Sequence, residues 1–160
     1  MGVRVMAKIG HIKDNYSPND SLYTPPEIFE ALSVEFDIDV CAPNEGLPWI
    51  PAKRFIGEQE NGLEVNWSGI VWMNPPYSRP TPWVDKWLDH RNGFAFLPFA
   101  KAKWFDKLWE SEAASCLLYN RFTFITTELK RKGIYSPVAI WAIGESNITA
   151  LKMSDLGQVR

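Results

Sequence analysis

Three continuous apolar runs, at 70–74, 94–99 and 115–120, constrain the fold of this chain more than any other feature. A strand that faces water on one side alternates apolar and polar residues, whereas a strand covered on both faces is apolar along its length. Segments with the apolar spacing of helices separate the runs, at 82–90 and 103–111. Buried strands that alternate with helices predict an α/β domain with a mostly parallel sheet.

Shorter patterns predict the remaining elements. A helix is expected over 24–36, with Thr24 as its N-cap and Glu27, three residues later, completing a capping box. Further strands are predicted at 36–42, 53–57, 121–128 and 136–144. The last two flank a basic loop at 130–133 and have no helix between them, which favours an antiparallel edge.

Length and composition favour one folded domain. The chain has 160 residues, of which 46% are hydrophobic and 22% charged, so it can bury a sizeable core. We expect residues 1–22, which end in several turn formers, to be a loosely ordered arm and residues 23–160 to form the domain. The net charge of −2 gives no global sign of nucleic-acid binding and counts against that function.

The histidines and cysteines argue against a metal centre. His11 and His90 are the only histidines, Cys41 and Cys116 are the only cysteines, and neither pair has the spacing of metal ligands. No run is long enough to span a membrane, and the first residues lack a signal-peptide pattern. The sequence therefore predicts a soluble cytoplasmic protein with neither metal nor membrane partner.

The segment Asn-Pro-Pro-Tyr at 74–77 is the main candidate for chemistry. It closes the apolar run at 70–74, and ligands of parallel sheets bind at the carboxyl ends of strands. Asn74 offers a carbonyl oxygen as an acceptor, while Pro75 and Pro76 stiffen the backbone and lack N–H groups. Tyr77 supplies a flat ring for stacking on a heterocycle.

Two acceptors side by side can hold an –NH2 group by both of its hydrogens. The lone pair of an aromatic amine is delocalised into its ring, which makes the amine a poor nucleophile. Acceptors on both hydrogens favour a more tetrahedral nitrogen and stabilise the positive charge that develops on it. Such a site needs neither a metal nor a histidine base. The alternative is that Asn-Pro-Pro forms only a rigid turn.

The motif and its surroundings resemble a known family. WMNPPY looks like the catalytic motif of amino-group DNA methyltransferases. The order and spacing of five segments are similar to the phage-type Dam family of DNA N6-adenine methyltransferases: YTPPEIFEAL (23–32), DIDVCAPN (37–44), NGLEVNWSGIVWMNPPYS (61–78), FLPFAKAKWF (96–105) and RFTF (121–124). The resemblance covers roughly residues 20–145.

This resemblance implies an abbreviated Rossmann-like methyltransferase fold, S-adenosylmethionine as methyl donor, and double-stranded DNA as substrate, with the target adenine flipped out. It makes Asn74 to Tyr77 the catalytic turn. It also implies cofactor contacts for Thr24, Pro25, Asp39, Cys41, Ala42 and Asn61. A phage-encoded enzyme would work in the host cytoplasm, where protection of phage DNA against restriction is a possible purpose.

DNA recognition is expected on the loops after 77 and 99 and on the region 121–135. The resemblance places an aromatic residue of 121–124 against the flipped base. The predicted substrate contacts are Arg79, Lys101, Arg121, Phe122 and Phe124, with Lys103, Lys130, Arg131 and Lys132 as further phosphate contacts. Ordinary solvated charge is the alternative interpretation of each basic residue.

The sequence also departs from the family pattern. No glycine-rich turn follows the first strand, and Pro43 and Gly46 are the candidates for an equivalent bend. Glu58 and Glu60 are both candidates for the acid that holds the cofactor ribose. The chain is too short for a separate target-recognition domain.

Two other functions fit the same residues. Within the enzyme class, the motif also serves methylation of N4 of cytosine or of a glutamine amide. The alternative from another class is a non-catalytic nucleic-acid-binding or interaction protein on a decayed methyltransferase scaffold. The missing glycine-rich turn and the acidic pI of 5.7 favour this alternative. The resemblance favours adenine.

Overall fold

A seven-stranded mixed sheet forms the centre of the computed structural model, which describes residues 22–119, 122–133 and 137–160. In chain order the strands are β1 (Phe36–Asp39), β2 (Ala52–Phe55), β3 (Val71–Met73), β4 (Gly93–Pro98), β5 (Ala114–Leu118), β6 (Phe124–Ile125), β7 (Arg131–Lys132), β8 (Val138–Ile143) and β9 (Gly157–Val159). The helices are α1 (Pro26–Leu32), α2 (Thr81–His90), α3 (Lys103–Glu110) and α4 (Glu145–Met153). The sheet has the order β2-β1-β3-β4-β8-β5-β9, and β6 and β7 form a separate pair.

Five strands of the sheet run in the same direction. The pairs β1–β2, β1–β3 and β3–β4 are parallel. Strand β8 is antiparallel to both of its neighbours, β4 and β5, so β5 has the direction of β4. Strand β9 is antiparallel to β5 at the edge. The predicted α/β domain with a mostly parallel sheet is confirmed, and the arrangement is consistent with a methyltransferase-like fold.

The position of β8 differs from the sequence prediction. We expected the strands at 121–128 and 136–144 to lie together at an antiparallel edge, but β8 lies inside the sheet and pairs with β4 over six residues. The first of the two shortens to β6, and its partner β7 lies within the predicted basic loop 130–133. The reason is burial: every residue from Ala139 to Ile143 is apolar and at most 2% exposed, which suits an interior strand.

The two faces of the sheet are covered by different helices. On one face Trp83 and Trp87 of α2 and Trp104 and Leu108 of α3 pack against the strands. The other face carries α1 and α4, through apolar side chains that include Ile28, Phe29, Leu32 and Leu151. Successive residues of a strand point to opposite faces, so Trp72 packs with the second group while its neighbours Val71 and Met73 pack with the first.

The start of α1 also differs from the prediction. The helix begins at Pro26, and Pro25 is its N-cap without a side-chain hydrogen bond. Thr24 lies one residue too early to cap, and Glu27 forms an ion pair with Arg131 at 2.6 Å instead of closing a capping box. The helix ends before Ser33, whose φ of 51° is left-handed, and not at 36. No helix among the described residues is long and apolar enough to cross a membrane.

Candidate active site

The carboxyl ends of β1 and β3 lie side by side and place two predicted segments next to each other. Strand β1 pairs in parallel with β3, with Asp39 opposite Trp72. The backbone N–H of Val40 then donates to the carbonyl of Trp72 at 3.0 Å. The segment 39–42 and the turn 74–77 therefore leave the sheet at the same edge.

Asn74 is a buried side chain with one unused acceptor. It is 4% exposed, and its Nδ2 donates to the carbonyl oxygen of Leu22 and to Oγ1 of Thr24, both at 3.2 Å. A backbone carbonyl can only accept, so these contacts fix which end of the amide is nitrogen. Among the described residues Oδ1 has no hydrogen-bond partner. A buried acceptor without a donor is costly, and this oxygen can accept a hydrogen bond from a ligand.

The two prolines and Tyr77 complete the turn. Pro75 and Pro76 are buried. The carbonyl of Pro76 accepts from the N–H of Arg79 at 3.2 Å, whereas no backbone N–H of the described residues donates to the carbonyl of Pro75. The hydroxyl of Tyr77 donates to the carbonyl of Phe96 at 3.1 Å, and this contact holds a half-buried ring beside the turn.

The segment before α1 is fixed against this turn. Tyr23 and Ile125 exchange two backbone hydrogen bonds, at 2.8 and 2.9 Å. The indole N–H of Trp49 donates to the carbonyl of Thr24 at 2.9 Å. Thr24 is 1% exposed and Pro25 is buried, so the predicted cofactor residues of this segment lie beside Asn74. The sequence analysis did not identify Trp49, because this residue belongs to no motif.

At the end of β1 lies a buried carboxyl group. Asp39 is 3% exposed, and its Oδ1 accepts from the N–H of Cys41 at 3.3 Å. Burial raises the pKa of Asp39 to about 7, although the hydrogen bond from Cys41 acts in the opposite direction. Cys41 and Ala42 are buried, and the N–H of Ala42 donates to the carbonyl of Ile56 at 3.0 Å.

A hydrogen-bonded turn replaces the missing glycine-rich one. The N–H of Gly46 donates to the carbonyl of Pro43 at 2.8 Å. Gly46 has a φ of 70°, and a Cβ added there would lie 2.8 Å from the ring of Phe55. Both the left-handed backbone and the close ring favour glycine at this position. Pro43 and Gly46 thus supply a bend directly after β1.

The segment after β2 returns across the end of β1. Asn61 has a φ of 59°, and its Oδ1 accepts from the N–H of Leu63 at 3.1 Å. A Cβ added at Gly62 would lie 2.0 Å from the carbonyl oxygen of Val40, so this glycine allows direct backbone contact. Of the two acids considered for the ribose, Glu60 is paired with Arg54 at 2.8 Å on the surface, and Glu58 is partly buried.

The predicted aromatic contacts to the base need a correction. Phe124 is 1% exposed and stacks on Phe96 with ring centroids 5.3 Å apart, so its ring belongs to the core and presents no face to a base. Both residues of β6 are buried, Phe124 in the cluster that packs with α1 and α4 and Ile125 in the cluster on the other face. Phe122 is half-buried, and Arg121 lies outside the described residues.

The predicted phosphate contacts fall into two groups. Lys130 pairs with Glu128 at 3.3 Å, and Arg131 pairs with Glu27. The others are exposed, and within 22–119, 122–133 and 137–160 they form no ion pair: Arg79, Lys101, Lys103 and Lys132. In the same ranges no three histidine, cysteine or acidic residues cluster as metal ligands do.

Comparison with known proteins agrees with this geometry. The family model described as DNA N-6-adenine-methyltransferase (Dam) matches residues 12–137. A protein of Haemophilus phage HP1 (strain HP1c1), named DNA N-6-adenine-methyltransferase, is 31% identical over an alignment of 124 residues, and the match covers 70% of this chain and 70% of the phage protein. No solved structure matches the chain significantly. With the turn at 74–77 inside the matched range, the chain belongs to the DNA N-6-adenine-methyltransferase (Dam) family.

Proposed function

We propose that this protein transfers a methyl group from S-adenosylmethionine to N6 of an adenine that has left the DNA duplex. The observation that carries the proposal is the buried Oδ1 of Asn74 at the carboxyl end of β3, which has no hydrogen-bond partner in the described part of the chain. The family name and the named function of the phage relative support adenine over cytosine or a glutamine amide.

The turn contains the acceptors that the reaction needs. Oδ1 of Asn74 accepts one hydrogen of the adenine amino group, and the carbonyl of Pro75 accepts the other. Both acceptors are held in advance, the first by Leu22 and Thr24 and the second by the fixed φ of proline. As N6 attacks the methyl group, positive charge grows on the nitrogen, and these two oxygens stabilise it without reorganising.

The ring of Tyr77 provides the stacking surface for the flipped base. Its hydroxyl bond to Phe96 sets the plane of the ring, so the base meets a prearranged face. A base outside the duplex has lost its stacking on both sides, and an aromatic ring compensates part of this loss. Phe124 does not share this role, because its ring is buried against Phe96.

The end of β1 suits the cofactor. S-adenosylmethionine supplies an electrophilic methyl group on a sulfonium and carries an α-ammonium group. Asp39 is a buried carboxyl that accepts one hydrogen bond among the described residues, so it gains from a nearby cation. We place Asp39, Cys41 and Ala42 on one side of the cofactor, Thr24 and Pro25 near its methionine part, and Asn61 near its adenine.

Cations that form no ion pair with the described residues flank the turn and suit a DNA backbone. Arg79 follows the turn directly, and Lys101 and Lys103 follow β4, the neighbour of β3. Lys132 lies on β7, which reaches the site through β6 and its bridge to Tyr23. Local positive charge of this kind binds phosphates although the whole chain is slightly acidic.

Incubation of the protein with labelled S-adenosylmethionine and unmethylated double-stranded DNA tests the proposal. After digestion of the DNA, we expect the label in N6-methyladenine, with labelling slowed by roughly 10²–10³-fold in the Asn74→Ala variant. Label in N4-methylcytosine would show that the substrate is cytosine instead of adenine. Unlabelled DNA together with tight DNA binding would support the non-catalytic alternative instead.

A further inference from the structure

Lys86, on α2, binds the backbone of the segment that crosses the end of β1. Its ammonium donates to the carbonyl oxygens of Gly62 at 3.1 Å, Leu63 at 2.9 Å and Val65 at 2.5 Å. An ammonium has three N–H donors, so these three acceptors use its full capacity. The nitrogen also lies 4.9 Å from the centroid of the Trp67 ring. Sequence reasoning gave Lys86 no role.

The same helix fixes the segment at a second point. One turn after Lys86, a ring nitrogen of His90 lies 2.8 Å from the carbonyl oxygen of Gly69. Within the segment itself, the indole N–H of Trp67 donates to the carbonyl of Gly62 at 2.8 Å. Two side chains of α2 and one tryptophan therefore determine the path of the backbone from 62 to 69.

This path matters because the segment forms one wall of the site. Gly62 contacts the carbonyl of Val40, and a Cβ there would also lie 2.9 Å from the ring of Trp83. Val40 lies between Asp39 and Cys41, which we place beside the cofactor. Backbone held this closely leaves no room for adjustment, so a shift of residues 61–63 changes the space next to β1.

Lys86 is partly buried, and its ammonium binds backbone carbonyls instead of an acidic side chain. Burial lowers the pKa of Lys86, which means that its charge is held at a cost. Replacement of Lys86 by an apolar side chain removes this donor from three carbonyl oxygens, so a loss of stability would accompany any change in the path of the segment. The specific property of the ammonium is that it draws three carbonyls toward one point.

We propose that Lys86 is a positioning residue for the cofactor, because its ammonium holds residues 61–65 against the carboxyl end of β1. The inference rests on the proposed cofactor site. It assigns Lys86 no contact with the cofactor and no part in methyl transfer.

The test compares Lys86→Met with Lys107→Met as a matched control. Lys107 lies on the neighbouring helix α3 and pairs with Asp85 on the surface at 2.6 Å. Calorimetry measures the dissociation constant of S-adenosylhomocysteine for both variants and the wild type. We expect Lys86→Met to bind at least about tenfold more weakly, with kcat at saturating cofactor within about twofold of the wild type, and Lys107→Met to match the wild type.

Equal affinity of Lys86→Met and the wild type, with both folded, overturns the inference. An equal loss of affinity in Lys107→Met overturns it as well, because the effect would then be one of general surface charge. A wild type that binds no S-adenosylhomocysteine contradicts the proposed function itself, so the two failures are distinguishable.

If Lys86→Met does not fold, Lys86→Ala is measured with added propylammonium, which replaces the atoms removed from the side chain. We expect propylammonium to restore both the melting temperature and the cofactor affinity, and tetramethylammonium, which has no N–H donor, to restore neither. Recovery of the melting temperature without recovery of affinity, or no recovery of either, overturns the positioning role.

Discussion

The side-chain amide of Asn74 donates a hydrogen bond to Oγ1 of Thr24 at 3.2 Å, which ties the turn after β3 to the segment before α1. The contact fixes the amide so that Oδ1 faces away from both of its protein partners. Asn74→Ala removes this acceptor, and we expect turnover to fall by roughly 10²–10³-fold, as for the loss of one preorganised hydrogen-bonding group.

Single-turnover methylation of a DNA duplex measures the loss in Asn74→Ala, and circular dichroism checks that the variant is folded. Binding of S-adenosylhomocysteine should change much less than the rate, because the missing group contacts the base. A rate near that of the wild type would show that the catalytic turn is misassigned.

Thr24 is expected to act through Asn74 as well as through its place near the cofactor. Thr24→Val keeps the shape of the side chain but removes the acceptor for Nδ2. We expect a loss of about 1 kcal/mol in transition-state stabilisation, the usual size of one neutral hydrogen bond. Thr24→Ser keeps the hydroxyl and should retain more activity than Thr24→Val. The reverse order in a kcat comparison would contradict this role.

Tyr77 combines a ring face with an anchored hydroxyl. Tyr77→Ala removes the stacking surface and should lose about 1–3 kcal/mol in the steps that involve DNA. Tyr77→Phe keeps the ring and loses only the hydrogen bond to Phe96, so we expect a smaller loss of about 0.5–1.5 kcal/mol.

Fluorescence of 2-aminopurine at the target position measures base flipping by these two variants, because its emission rises when the base leaves the stack. Cofactor affinity serves as the control and should stay close to that of the wild type in both. Equal activity of folded Ala and Phe variants would contradict stacking on Tyr77.

Asp39 should make the unfolding free energy of the ligand-free protein depend on pH. Burial raises its pKa from 3.8 to about 7, so between these values the folded protein holds a proton that the unfolded chain has released. The unfolding free energy therefore falls as the pH rises through this window. Asp39→Asn, which stays neutral, should lack this part of the decrease.

Urea unfolding at pH 5 and pH 8 measures the difference between wild type and Asp39→Asn. We expect the variant to gain stability relative to the wild type at the higher pH. The same variant should bind S-adenosylmethionine more weakly at pH 8, where it lacks the negative charge beside the ligand. An identical pH dependence of the two proteins would contradict the raised pKa.

Cofactor binding should stabilise the folded protein. At a ligand concentration of about 100 times the dissociation constant, the expected gain is roughly 2.7 kcal/mol. A melting curve with S-adenosylhomocysteine, compared with one with adenosine alone, measures this gain. A melting temperature unmoved by millimolar ligand would count against the enzyme function.

The sequence by itself determined strands β3 and β4 and the position of the turn at 74–77. Apolar runs longer than one face requires predict strands covered on both sides, and β3 and β4 are buried in this way. The third run is buried only in part, because Leu117 of β5 is 51% exposed. Asn-Pro-Pro cannot continue such a strand, so the turn had to follow β3. These conclusions depend only on residues that are close together in the sequence, so local sequence patterns are sufficient to reach them.

Only the tertiary structure decided the partners of those residues. Thr24 resembles a helix cap in sequence, yet its hydroxyl serves Asn74, fifty positions away. Phe124 resembles a base contact, yet it packs in the core on Phe96. Strand β8 enters the sheet between β4 and β5 because its whole length is apolar on both faces. Contacts of this kind depend on how well surfaces that are distant in the sequence pack against each other. Local sequence periodicity does not contain that information.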